Sequence, residues 1–195
     1  MEEKNITEQE SLIIIQQMIN KSKKQLTDRS KYFMMWGFAV FLCAILQYIL
    51  LINLQNHSQR VWLAMPVLAL VQVFMSVQDR KKEKTVSHNT SAIGAVWLAL
   101  GISFFILAFL SSRIYFEMFP FLILFYGIGT FITGKILQFT PLIFGGIVCF
   151  ILSILITYVK GPEQLLILAL SVVVSYIIPG LLLKREFKNQ QNKIL

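Results

Sequence analysis

The 195 residues are 56% hydrophobic, only 14% charged, and carry a net charge of +8. Soluble domains average about 25% charged residues, so a water-exposed globular surface is excluded. The apolar residues fall in blocks of roughly the 20-residue length that crosses a bilayer as a helix, and the chain reads as an all-α, polytopic membrane bundle.

The first element is "SLIIIQQMINKSKKQL", residues 11–26. Its apolar run ends at Ile19, which is too short and too polar to span, and Glu2 and Glu3 stand where a secretory signal would be basic. Thr7 and Glu10 form a capping box. From there a helix over about 7–27 gathers Leu12, Ile15, Met18, Ile19, Ser22 and Leu26 on one face, although Ile13 breaks the pattern. The other face carries Glu10, Gln17, Lys21 and Lys24. The expectation is an amphipathic helix lying on the inner leaflet or packed under the bundle, within a cytoplasmic segment, residues 1–31. Its removal is expected to leave the bundle inserted.

Six spans follow in a transmembrane domain over 32–183, at about 32–54, 61–78, 92–110, 118–137, 141–159 and 164–183, with a short tail over 184–195. In lipid each must satisfy its own backbone, so each is predicted as a helix. Thr140-Pro141 reads as an N-cap followed by proline at the first helical position. Gly161-Pro162-Glu163 reads as a turn with an acid at the positive end of the next helix. Pro179-Gly180 is expected to kink the sixth span.

The basic residues are strongly asymmetric. Lys4, Lys21, Lys23, Lys24, Arg29, Lys31, Arg80, Lys81, Lys82, Lys84, Lys135, Lys184, Arg185, Lys188 and Lys193 fall on one side of the bundle, whereas only Arg60, Arg113 and Lys160 fall on the other. Fifteen against three places both termini in the cytoplasm, in agreement with the even number of spans. Tyr32 and Trp36 suit the inner aromatic belt, and Trp62, Tyr115 and Tyr158 the outer one.

Small residues recur at four-residue spacing in Ala95/Ala99, Gly129/Thr133, Thr130/Gly134 and Ser171/Ser175. They read as packing faces, a dimer face, or a sliding surface in a transporter. "YGIGTFITG", residues 126–134, lacks the ending and context of a phosphate loop and reads as one such face. "WGFAV", "IGAVW" and "FGGIV" echo one another, as do "MPVLAL" and "FPFLIL", through chance or a threefold hairpin repeat.

No charged side chain lies deep in a span; Glu117 and Lys135 sit near the edges. The interior offers neutral groups, among them Gln47, Gln72, Tyr126 and Tyr176. Gln47 and Gln72 read as an interhelical hydrogen bond; the alternative is a polar solute site near Gln72, Tyr126 and Tyr176. Cys43 and Cys149 sit in apolar blocks as small hydrophobes, and His57 and His88 stand in separate loops. No catalytic set, metal site or cofactor site is expected.

Two longer runs carry a resemblance. "YGIGTFITGKILQFTPLIFGGIVCFILSIL" with "SYIIPGLLLKREFK", and the N-terminal "ITEQESLIIIQQMINKSKK" with "YFMMWGF", resemble a group of uncharacterised small six-span bacterial inner-membrane proteins. The resemblance covers nearly the whole chain and implies a bacterial inner membrane. It also implies association with a small winged-helix regulator, hence a signalling or envelope-stress role, and it carries over no functional residues. A weaker likeness, in glycine pattern and size, is to six-span acid-resistance membrane proteins.

The expected function is that of a non-enzymatic integral membrane protein acting through protein or lipid interaction. Its expected partners are anionic inner-leaflet lipids, a second copy and a cytoplasmic regulatory protein, with no direct nucleic-acid contact. Lys21, Lys23, Lys24, Arg80, Lys81 and Lys82 would form the partner or lipid surface. The alternative is a small-solute permease or channel using the neutral polar residues.

Overall fold

The computed structural model describes Gln9, Leu12 and residues 34–53, 57–82, 88–114 and 117–191, and all regular structure among them is helical. The expected amphipathic helix, and with it Lys21, Lys23 and Lys24, lies outside the described residues apart from Gln9 and Leu12, both helical. Six helices have the length and apolarity to cross a bilayer, so the chain is a multi-pass membrane protein.

Helix α1 is Met34–Ile52. A 3-10 turn, Ser58–Leu63, leads into α2, Ala64–Lys82. Then come α3, His88–Arg113, α4, Met118–Leu137, and α5, Thr140–Leu155, which tightens into a 3-10 turn at Ile156–Tyr158. The sixth span is compound: α6, Glu163–Val172, a π turn, Val173–Ile177, and α7, Ile178–Gln191. The last helix thus runs past residue 183 into the segment read as a tail. Pro120 stands third in its helix, where no intrahelical N–H bond is lost, and Pro66 stands third in α2, directly after the 3-10 turn.

The tightest unit is the α4–α5 hairpin. Gln138 adopts the left-handed conformation at φ 51°, and the Phe139 N–H returns to the Gly134 carbonyl at 2.9 Å. This closure starts α5 at Thr140, one residue before its expected first position, with Phe139 as the N-cap and no side-chain cap bond. Cβ atoms at Gly134 and Gly146 would stand 2.7 Å from the Ile143 nitrogen and the Phe131 Cβ. At Gly127 a Cβ would meet Phe150 at 2.8 Å. These contacts form one antiparallel register along the hairpin, and only glycine permits backbones this close.

The sixth span is the centre, with half of its most apolar window buried. It packs antiparallel to α5, through Gly145 against Val174 and Ser175, and to α1, through Gly37 against Tyr176 and Gly180 against Met34. The core gathers Val40 and Ala44 from α1, Ile123 from α4, Cys149 from α5, and Leu165, Leu168, Val172 and Tyr176 from the sixth span. Helix α2 is the outlier, with none of its window buried.

Candidate functional site

Tyr176 leaves the π turn and enters the middle of the bundle. Its ring meets Trp97 of α3 at a centroid distance of 5.6 Å and Tyr126 of α4 at 5.4 Å, both edge-on. Tyr126 in turn packs on Phe104 of α3 at 5.1 Å. Edge-to-face pairs add about 0.5–1.5 kcal/mol each beyond their burial. Glycines make the space: a Cβ at Gly37 would stand 3.0 Å from the Tyr176 Cβ, and one at Gly129 2.8 Å from the Trp97 ring. Trp97 is held in place by its indole N–H, which donates to Thr133 Oγ1 at 3.1 Å. Four spans therefore converge on Tyr176.

Other serine and threonine hydroxyls near this aromatic hub serve their own helices. Thr130 donates to the Tyr126 carbonyl at 2.7 Å, Ser171 to Leu168 at 2.7 Å, and Ser175 to Ser171 at 2.7 Å. Ser153 donates to Phe150 at 2.8 Å. The Cys149 thiol points at the Ser171 carbonyl, 3.6 Å away across α5 and α6. Among the described residues no buried side-chain nitrogen or oxygen lacks a hydrogen-bond partner. No group of three His, Cys, Asp or Glu residues is clustered among them.

The four polar residues singled out in the sequence part ways. Tyr126 and Tyr176 meet in the hub. Gln47, buried on α1, accepts a hydrogen bond on Oε1 from the indole N–H of Trp62. Gln72 is half-buried on α2, and the expected bond between the two amides is replaced by the Gln47–Trp62 bond. The reason is depth. In an antiparallel hairpin Gln47 and Trp62 both lie near the turn, whereas Gln72 is ten residues beyond Trp62, about 15 Å further along α2. Gln47 is likewise ten residues beyond Gly37, about 15 Å from the level of Tyr176. Arg80, Lys81 and Lys82 form the last turn of α2, where cations are favoured by the helix dipole.

The hydrogen-bonding roles of Trp62, Trp97, Thr133 and Gln164 escaped the sequence reading, which placed Trp62 in the outer aromatic belt and Thr133 on a packing face. Buried Gln164 donates to the Val159 carbonyl at 2.8 Å and reaches Glu117 at 3.5 Å, so it ties the α5–α6 turn to the start of α4. A tryptophan N–H inside an apolar block needs an acceptor, and that demand was the available signal for Trp62 and Trp97. The chain matches no family model, no curated protein and no solved structure.

Proposed function

We propose that the protein is a membrane-embedded interaction protein whose contact helix is α3 and whose first partner is a second copy of itself. The carrying observation is a contrast among glycines. A Cβ added at Gly37, Gly127, Gly129, Gly134, Gly145, Gly146 or Gly180 would meet a neighbour at 3.0 Å or less, whereas one added at Gly94 or Gly101 would meet none of the described residues within 4 Å. Glycine in a helix is unfavourable by about 1 kcal/mol relative to alanine, and nothing among the described residues compensates for it at these two positions.

Both glycines stand in a seam along α3. Gly94, Gly101 and Ala108 repeat every seven residues, and Leu98, Phe105 and Ser112 repeat with them. Leu98 and Phe105 are 67% and 63% exposed. A seven-residue repeat of small and large positions suits two helices crossing at about +20°. A two-fold axis along the membrane normal would pair the seam with itself, because both copies share one topology. The engagement of Gln47 with Trp62, and of Tyr126 with Tyr176, favours this reading over a solute path through the bundle.

The fifteen-to-three asymmetry supports placing the basic end, where the α2–α3 and α4–α5 turns and α7 lie, on the cytoplasmic face of an inner membrane. There Arg80, Lys81 and Lys82 would meet anionic lipid or a regulatory protein.

Cysteine cross-linking in native membranes tests the reading. Leu98→Cys should give a disulfide-linked dimer under mild oxidation, and Gly101→Leu in that background should abolish it. Buried Cys43 and Cys149 should contribute little background. If Leu98→Cys gives no dimer and the reconstituted protein passes a small neutral solute, the permease alternative replaces this reading.

A further inference from the structure

The sixth span changes register just before its proline. Across the π turn Val173–Ile177 the N–H of Ile178 donates to the Val173 carbonyl, five residues back. In a straight α-helix that N–H would serve Val174. The carbonyl left without a helical donor would then be that of Ser175, because Pro179 has no N–H. The π turn in addition skips Val174, whose oxygen lies in front of Gly145, 3.0 Å from where a Cβ would stand.

The π register leaves one more carbonyl without a helical donor than the α register, because the skipped carbonyl of Val174 adds to the one that Pro179 cannot serve. Packing therefore has to offset that difference. The π register sets Tyr176 on Gly37 and against the rings of Trp97 and Tyr126, and it needs the open space at Gly145. A single π turn within a helix is often found where the helix has functional work, and packed cores change between discrete arrangements.

We infer that the sixth span is a two-register switch. In the register seen here Tyr176 occupies the hub. In the other, the π turn is resolved into α-helix, and α7 turns about its axis by about 100° relative to α6. Tyr176 then leaves its ring partners, and exposed Lys184 and Arg185 on α7 present a different face at the basic end. The device couples the centre of the bundle to that end whether or not α3 self-associates.

Spin labels at Lys135→Cys and Arg185→Cys, in the full chain reconstituted into liposomes, would report the turn as a distance distribution. The unaltered chain should show a main component and a minor displaced one. Gly145→Ala closes the space before Val174 and should raise the displaced component several-fold. Tyr176→Leu, which removes the ring contacts, should do the same, and Tyr176→Phe, which keeps them, should match the unaltered chain. Should Gly145→Ala fail to fold, the Leu-against-Phe comparison at 176 decides. A distribution identical in all variants, or no displaced component in the unaltered chain, overturns the switch.

Discussion

Trp62 donates its indole N–H to Oε1 of Gln47, and this bond ties outlying α2 to the buried face of α1. A second contact stands beside it, the Cys43 thiol against the Val61 carbonyl at 3.6 Å. Both are made near the α1–α2 turn, and a half-buried stripe of Leu68, Ala69, Gln72, Met75 and Ser76 continues along α2.

Gln47→Leu should therefore loosen α2 and leave the Trp62 N–H without its acceptor. Interhelical hydrogen bonds in membranes contribute about 0.6–2 kcal/mol, and the unfolding midpoint in a denaturing-detergent titration should fall by that order. Trp62→Phe alone should cost a similar amount. The double variant should cost less than the two singles together, and strict additivity would count against the bond.

Glycine substitutions should divide into two classes. At Gly134 and Gly146 a Cβ would meet backbone or the root of a side chain at 2.7 Å, which cannot yield without parting α4 from α5. Gly134→Ala or Gly146→Ala should destabilise by about 1–3 kcal/mol, the range for overpacked cores. Gly94→Ala meets open space and should leave the monomer at least as stable, with a gain of up to about 1 kcal/mol. The same denaturation assay ranks all three, and equal losses would contradict the packing described.

Thr133→Val keeps the shape of its side chain but removes the acceptor of Trp97. The expected cost is about 1–3 kcal/mol, for an indole N–H left unpaired, with a shift in tryptophan fluorescence. Thr133→Ser keeps the hydroxyl and should restore most of the stability. If valine were tolerated as well as serine, the bond would carry no weight.

Orientation can be read with a membrane-impermeant thiol reagent on intact cells. Lys160→Cys stands in the exposed α5–α6 turn, and Lys135→Cys stands exposed in the last turn of α4. Positive-inside topology predicts labelling at 160 from outside and at 135 only after permeabilisation. The reverse pattern would invert the bundle.

The spans were legible because a bilayer imposes a length and an apolarity that any reader of the sequence can measure, and six of the described helices meet both. Faces were far less legible. Spans apolar nearly all round leave little amphipathic signal to say which side turns inward. Gly134 and Gly94 therefore look alike in sequence, although one is locked against Ile143 and the other meets none of the described residues. Gln47 and Gln72 were paired by chemical type, whereas their depths in the hairpin assign Gln47 to Trp62.

Composition and hydropathy alone determined the class, the six spans and the charged polarity of the two ends, because these depend on transfer between water and lipid and not on neighbours. Pro179 announced an irregularity. Its form as a π turn was decided only in three dimensions, by the space at Gly37 and Gly145 and by the rings of Trp97 and Tyr126. Inside lipid, where burial in protein no longer distinguishes one apolar face from another, close packing and the few polar pairings choose the partners.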